Sequence, residues 1–245
     1  MHELAAAVRS RQPTGGSRTA PFLPFYSYPV SLRSPAYLRA FYEIVAPVYA
    51  RLTAPLSARA RRHGVRWLAV ADGERIVEVG SGPGHAFQSL LLQNPTGWTD
   101  ALEPASAMRA RTQQQAARVP HRRYRIRDGT ATDLPFPADH IDGLFSAYVY
   151  DLLPTDRLPT ALSEVRRVLQ PGGRAVLVTM APPASATGHL WSAAARWMPP
   201  LLGGSRPLRL RPALRGSGLS IVQSTTISQA GFPSRITAVR PSTSN

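Results

Sequence analysis

The chain has 245 residues, 29 basic against 14 acidic side chains for a formal charge of +15, and no cysteine. That length holds one domain with a sizeable core plus an extension. The lack of cysteine excludes a disulfide framework, a thiolate metal site and a cysteine nucleophile. Hydrophobic residues make up 43% with no apolar run near twenty residues, which predicts a soluble globular protein without a transmembrane helix.

Every basic residue is arginine, dispersed except for small knots at Arg59-Ala60-Arg61-Arg62, Arg122-Arg123 and between Arg206 and Arg215. A basic balance attracts nucleic acid, anionic membrane surfaces or acidic substrates. Dispersed charge with no block of five reads instead as a solvated face.

In chain order, residues 1–33 are rich in Pro, Gly, Ser and Arg and predict an irregular or disordered extension. Met1 to Arg18 lack the apolar core of a secretory signal, and mix Arg, Ser and Ala with little acid as transit segments also do. Cytoplasm is the expected compartment. Ser34-Pro35 offers an N-cap and a first-turn proline, followed at helical spacing by Tyr37, Leu38, Phe41, Ile44, Val45 and Val48. A second helix over about 57–70 completes a pair of capping helices across 34–70. Strands near 75–79, 99–102, 124–128, 142–146 and 174–180 then alternate with helices near 84–93, 105–118 and 157–169. That order predicts βαβ units and a parallel sheet in a core over 75–180. Leu158, Ala161, Leu162, Val165 and Leu169 line the last helix, and Pro171-Gly172-Gly173 is expected to stop it. In the final segment, 181–245, Leu219 to Val239 alternates as two antiparallel strands broken by Ala230-Gly231-Phe232-Pro233. Residues 34–245 thus read as one α/β domain.

The run Ile76-Val77-Glu78-Val79-Gly80-Ser81-Gly82-Pro83-Gly84 ends an apolar strand in an acid and three alternating glycines. Glycine lets the backbone turn tightly and approach a ligand with no Cβ in the way. The N–H groups of the following helix then face whatever sits there. A nucleotide-type cofactor at the carboxyl end of the first strand is the expectation. The third glycine of a dinucleotide fingerprint would fall at His85, which argues against that class. Glu103, 25 residues after Glu78, ends the second strand, where a carboxylate can accept hydrogen bonds from two ribose hydroxyls at once. A first-turn acid facing a helix dipole is the plainer alternative.

The acid-x-Gly-x-Gly-x-Gly segment resembles the signature of class I S-adenosylmethionine-dependent methyltransferases. Similar to the same family, and in its order, are Glu103-Pro104-Ala105-Ser106-Ala107-Met108, Asp128-Gly129-Thr130-Ala131-Thr132-Asp133-Leu134-Pro135-Phe136, His140 to Ser146, and Glu164 to Gly173. The resemblance covers about residues 42–180. It implies a Rossmann-like, doubly wound and mostly parallel seven-stranded sheet with a C-terminal antiparallel hairpin. It implies S-adenosylmethionine as cofactor, held by Glu78, Gly80, Ser81, Gly82, Gly84, Glu103, Pro104, Met108, Gly129, Thr130, Ala131 and Ser146. Where the family has an aspartate reading the adenine amino group, this chain has Thr130, which can accept one hydrogen bond without charge. Asp142 is carried over as structural.

Within that superfamily the chain is most similar to the ubiquinone/menaquinone-biosynthesis group and related phospholipid and small-molecule methyltransferases. Tyr42 to Tyr49 matches their Tyr-Asp-x-x-Ala-x-x-Tyr-Asp segment, with Glu43 and Ala50 in place of the aspartates. Tyr49 is thereby implied to line the cofactor pocket, or else belongs to the core stripe of an amphipathic helix. The stretch beyond the fourth strand, Tyr148-Val149-Tyr150-Asp151, is implied to face the methyl group. Asp151 is the first candidate for a general base or acceptor anchor, with Tyr148 beside it. His85, His140 and His189 rank behind it, and Arg206 is a candidate anion contact. The implied reaction is direct in-line transfer to a small-molecule or lipid acceptor, quinol-like or phospholipid-like, with peripheral contact to anionic membranes in the second case. Amino-directed nucleic-acid methylation would need Asn/Asp-Pro-Pro-aromatic where Ser146-Ala147-Tyr148-Val149 stands. Base-carbon or ribose methylation of RNA and a non-catalytic cofactor-binding role are the alternatives.

Overall fold

The computed structural model describes residues 55–121, 123–183, 189–190 and 205–242. The expectations for the first capping helix and for Tyr49 lie outside them. The described elements are α1 (residues 55–68), β1 (Arg75–Val79), α2 (His85–Gln93), β2 (Trp98–Leu102), α3 (Ser106–Ala116), β3 (Tyr124–Arg127), β4 (Ile141–Ala147), α4 (Leu158–Val168), β5 (Leu169–Met180), α5 (Leu210–Leu214), β6 (Leu219–Gln229) and β7 (Phe232–Pro241).

They form one seven-stranded sheet in the order β3-β2-β1-β4-β5-β7-β6. The first five strands are parallel, and β7 runs antiparallel between β5 and β6. The order reverses between β1 and β4, the place where open α/β sheets bind ligands outside their carboxyl ends. Register makes that edge level. Arg127, Leu102, Val79, Ser146 and Leu177 pair in one row across β3, β2, β1, β4 and β5. Gly80, Glu103, Asp128 and Ala147 therefore all lie one residue past the same line.

Side-chain alternation along the strands divides the core. Val77, Val79, Leu144 and Leu177 pack with Leu158, Leu162 and Val165 of α4 and with Leu210 and Leu214 of α5. Ile76, Phe145, Val176 and Val178 point the other way, into Ala60, Val65 and Leu68 of α1 and Ala86 and Leu90 of α2. Helix α1 sits close to the sheet at Gly64, where a Cβ would stand 2.8 Å from Val178 Cγ2. Its foot is fixed by Arg174, whose Nε donates to the Leu68 carbonyl (2.6 Å) and whose guanidinium pairs with Glu74 (2.7 Å). Its head is fixed at the far end, where the Arg59 N–H donates to Gln229 Oε1 (2.9 Å).

One boundary departs from expectation. Helix α4 ends at Val168, and Leu169 is already extended and paired with Ile141. Burying Leu169 in the sheet outweighs continuing the helix, so Pro171-Gly172-Gly173 makes an irregularity within β5 rather than a helix stop. No helix among the described residues is long and apolar enough to cross a membrane.

Candidate functional site

The glycine loop runs from the end of β1 into α2. Its first two N–H groups, of Gly80 and Ser81, both donate to the Leu102 carbonyl (2.7 and 3.2 Å), which ties the loop to β2. At Gly84, φ is +85° and a Cβ would lie 2.7 Å from Thr112 Cα, so a side chain there meets both backbone strain and helix α3. At Gly82, φ is +53° and a Cβ would meet nothing within 4 Å. The loop is thus pressed against α3 on one side and open at Gly82 on the other.

Glu103 closes the floor. Its Oε2 accepts the Gly82 N–H (2.9 Å) and its Oε1 the Ala105 N–H (3.0 Å), leaving one further lone pair on each oxygen. Burial raises its pKa, and the two N–H donors offset part of that rise. Glu78 is only 2% exposed, and its Oε2 has no hydrogen-bond partner among the described residues. Burial pushes its pKa well above the usual carboxylate value; the positive charge of Arg61 opposes this and the negative charge of Glu103 adds to it. An orphaned carboxyl oxygen at the head of a buried strand calls for a cationic donor. Together with the open face at Gly82, these carboxyl acceptors fit a nucleoside whose tail carries an ammonium group.

The other expected residues divide by where their side chains go. Pro104 and Met108 flank Glu103, Met108 fully buried with Ala105 and Ala107, and Arg109 Nη1 caps the Glu103 and Pro104 carbonyls (2.7 and 2.9 Å). The Ser81 hydroxyl turns beneath the loop to Thr112 Oγ1 (3.0 Å), which itself donates to the Gly82 carbonyl (2.8 Å). Ser146 Oγ donates to the Val79 carbonyl (2.8 Å), joining β4 to β1 at their carboxyl ends. Gly129 lies against Leu102, Ala131 is buried among Leu102 and Val79, and Thr130 is exposed with its hydroxyl 3.2 Å from that of Thr132.

Residues 76–173 match the family described as "Methyltransferase domain". The 2-phytyl-1,4-naphtoquinone methyltransferase of Synechococcus elongatus is 30% identical over 167 residues, spanning 64% of this chain and 69% of that protein. The chain belongs to the class I S-adenosylmethionine-dependent methyltransferases. A ubiquinone/menaquinone biosynthesis C-methyltransferase of Geobacter sulfurreducens is 28% identical over 155 residues, 60% of this chain and 59% of its own. Among solved structures, magnesium protoporphyrin IX methyltransferase from Synechocystis superposes with a TM-score of 0.68 at 16% identity, over 84% of this chain and 99% of that one. That last likeness speaks to the fold alone. The methyl donor of this methyltransferase is S-adenosylmethionine.

Beyond β4 the methyltransferase chain turns sharply. Tyr148 has φ +59°, a left-handed conformation uncommon for an aromatic residue. It is held there by its N–H on the Val178 carbonyl (2.7 Å) and its hydroxyl 2.7 Å from Ser234 Oγ of β7. Val149 fills the space that a Cβ on Gly80 would need. Asp151 is fully buried; Oδ2 accepts the Met180 N–H (2.8 Å) and Oδ1 has no partner among the described residues. Burial pushes its carboxyl up to about 7, against the Met180 and Asp151 N–H groups and the Arg206 charge. Arg206 is placed inward, with Nη2 on the Leu153 carbonyl (2.9 Å). Asp142 is structural in the plain sense, accepting the Arg75 N–H (2.8 Å) and a Gln170 amide hydrogen.

Two participants carry no family motif. Thr112 is a lone helical threonine whose bond to Gly82 joins elements 30 residues apart, and Arg61 sits inside a basic knot that its neighbours make look solvated. Of the candidate histidines, His85 opens α2 directly after the glycine loop, His140 lies at the foot of β4 by Arg75 (3.3 Å), and His189 is exposed.

Proposed function

We propose that this methyltransferase methylates the reduced ring of a quinol-type small molecule. The observation that carries the reading is the likeness to 2-phytyl-1,4-naphtoquinone methyltransferase over more than two thirds of that protein's length. The bound sulfonium supplies an already activated methyl group. The protein's work is then alignment and exclusion of water. In this reading Glu103 accepts the two ribose hydroxyls, Glu78 the tail ammonium, and the backbone from Gly82 to Gly84 borders the nucleoside. Gly129, Thr130 and Ala131 border the adenine, with Pro104 and Met108 behind it. Ser81 and Ser146 hold the cradle's shape from beneath.

A quinol carbon or oxygen becomes a better nucleophile on losing the hydroxyl proton. Asp151 supports that need: a carboxyl pushed up to about 7 suits a general base, and its Oδ1 carries no partner among the described residues. Tyr148, locked by β5 and β7, forms the rigid wall between it and the methyl end. An acceptor with an isoprenoid tail implies docking at an anionic membrane surface, which the +15 charge favours.

The test is transfer of labelled methyl from S-adenosylmethionine to a reduced demethylnaphthoquinol. Phosphatidylethanolamine vesicles and total RNA serve as rival acceptors. Label in the quinol ring that falls with Asp151→Asn supports the assignment. Label confined to lipid or RNA overturns it.

A further inference from the structure

The segment that follows β3 carries the residues set beside the adenine, yet it is fastened to a helix far along the chain. Ala131, Leu134 and Phe136 are buried with Val79, Leu102 and the apolar side of α4. Among the described residues, the hydrogen bonds that tie 129–139 to another element land on Glu164 and Arg167, near the end of α4. Glu164 Oε2 accepts the Leu134 N–H (2.8 Å). Arg167 Nη1 donates to the Phe136 carbonyl (2.7 Å) and Nη2 to the Leu134 carbonyl (2.9 Å). The Asp139 N–H donates to the Arg167 carbonyl (2.9 Å).

The two side chains also hold each other. Arg167 Nε donates to Glu164 Oε1 (2.6 Å) and Nη2 to Oε2 (2.7 Å), a bidentate fork that fixes the plane of both groups. The Arg167 hydrogen bonds, against burial and with the Leu134 N–H, keep the Glu164 carboxyl below its ordinary range, so the pair stays charged. The slot for the base therefore has two walls held from different helices. Pro104 and Met108 stand at the head of α3, where Glu103 is fastened to Gly82 and Ala105. Gly129 to Ala131 stand opposite, and α4 sets their place through Leu134 and Phe136.

We infer that Glu164 and Arg167 are the positioning pair for the adenine end of the cofactor. The inference rests on the cofactor placement above and goes beyond it, since both residues act through the loop rather than on the cofactor.

The fold supplies a control. Arg174 makes the same kind of fork with Glu74 (2.7 Å to each oxygen) and caps the Leu68 and Ala69 carbonyls (2.6 and 2.8 Å), but at the amino edge of the sheet. Calorimetry with S-adenosylmethionine and hydrogen exchange on the full chain, below the Tm of every variant, separate positioning from plain stabilisation. Arg167→Ala is expected to lose protection at the Leu134 amide and to bind S-adenosylmethionine about tenfold more weakly, as for a loop that is competent about a tenth of the time. Glu164→Gln, whose amide oxygen still accepts the Leu134 N–H, is expected to keep more of the affinity than Glu164→Ala. Arg174→Ala is expected to lower Tm with the dissociation constant unchanged. Wild-type affinity in Arg167→Ala would overturn the proposal, as would an equal loss of affinity in Arg174→Ala. A wild-type protein that does not bind S-adenosylmethionine would refute the cofactor placement itself, and the role of this pair with it.

Discussion

Asp151→Asn should make the protein more stable at alkaline pH, and by an amount that the burial sets. The carboxyl is raised from 3.8 to about 7 in the folded state, so folding favours its neutral form. Its contribution is fully present below pH 4, declines as pH rises through about 7, and is flat above that. The shift is about three pH units, and at about 1.4 kcal/mol per unit the wild-type protein gives up about 4 kcal/mol across the window. Asparagine can accept the Met180 N–H as the carboxyl does, and presents a neutral group to the same surroundings as the protonated acid. Urea unfolding at half-unit intervals from pH 4 to 8.5 measures the difference between the two proteins. It should be small at pH 4 and grow to a few kcal/mol in favour of the variant by pH 8. Glu78 and Glu103 shift in the same direction, but they are common to both proteins and cancel. A variant that is less stable at pH 8, or a difference that does not change with pH, would refute the argument that Asp151 is held as a desolvated carboxyl.

Glu103→Ala should weaken S-adenosylmethionine binding by about 10–100-fold, since a carboxylate accepting from paired hydroxyls contributes about 1.5–3 kcal/mol; an unchanged dissociation constant in calorimetry would remove it from the ribose site. Gly84→Ala combines left-handed strain with overlap on Thr112 Cα, and should cost about 3 kcal/mol, read as a fall of about 10 °C in Tm; a Tm within a degree or two of wild type would show that α3 yields. Thr130→Asp places a charged acceptor at the exposed lip beside Gly129, and should tighten S-adenosylmethionine binding by up to about tenfold. Weaker binding in that variant would mean that the loop does not read adenine through this side chain.

Strand positions were legible because each parallel strand is a short apolar run that ends where a polar motif begins. The level row of Arg127, Leu102, Val79 and Ser146 is that coincidence seen in three dimensions. The seven-stranded, mostly parallel sheet with its antiparallel hairpin was implied by the family resemblance, whereas the strand order is visible only in the structure, since spacing alone does not say which strand neighbours which. Directions of side chains were far less legible. Ser81 and Ser146 sit in motif positions, yet their hydroxyls serve Thr112 and Val79, because a hydroxyl beside a loop takes whichever acceptor the tertiary fold brings nearest. Asp151 reads as an accessible acid in the sequence; its burial depends on Met180 and on the segment around Arg206, far along the chain. Arg61 is indistinguishable from Arg59 and Arg62 by charge, and only the 100° step between helical residues separates them.

The placement of β7 between β5 and β6 also bears on how the chain is made. Strand β6 leaves the ribosome before β7, yet its pairing partner in the sheet is β7. Until β7 emerges, β6 is a strand with both edges bare, carrying Ile221, Val222 and Ile227. The head of α1 waits longer, since Arg59 and its partner Gln229 are 170 residues apart. At about 5–20 residues per second, that is a delay of about ten to thirty seconds. The glycine loop and Glu103 are complete well before the head of α1 is fixed on Gln229, so a stalled or shortened chain would carry α1 with its head unfastened and a strand open to other chains.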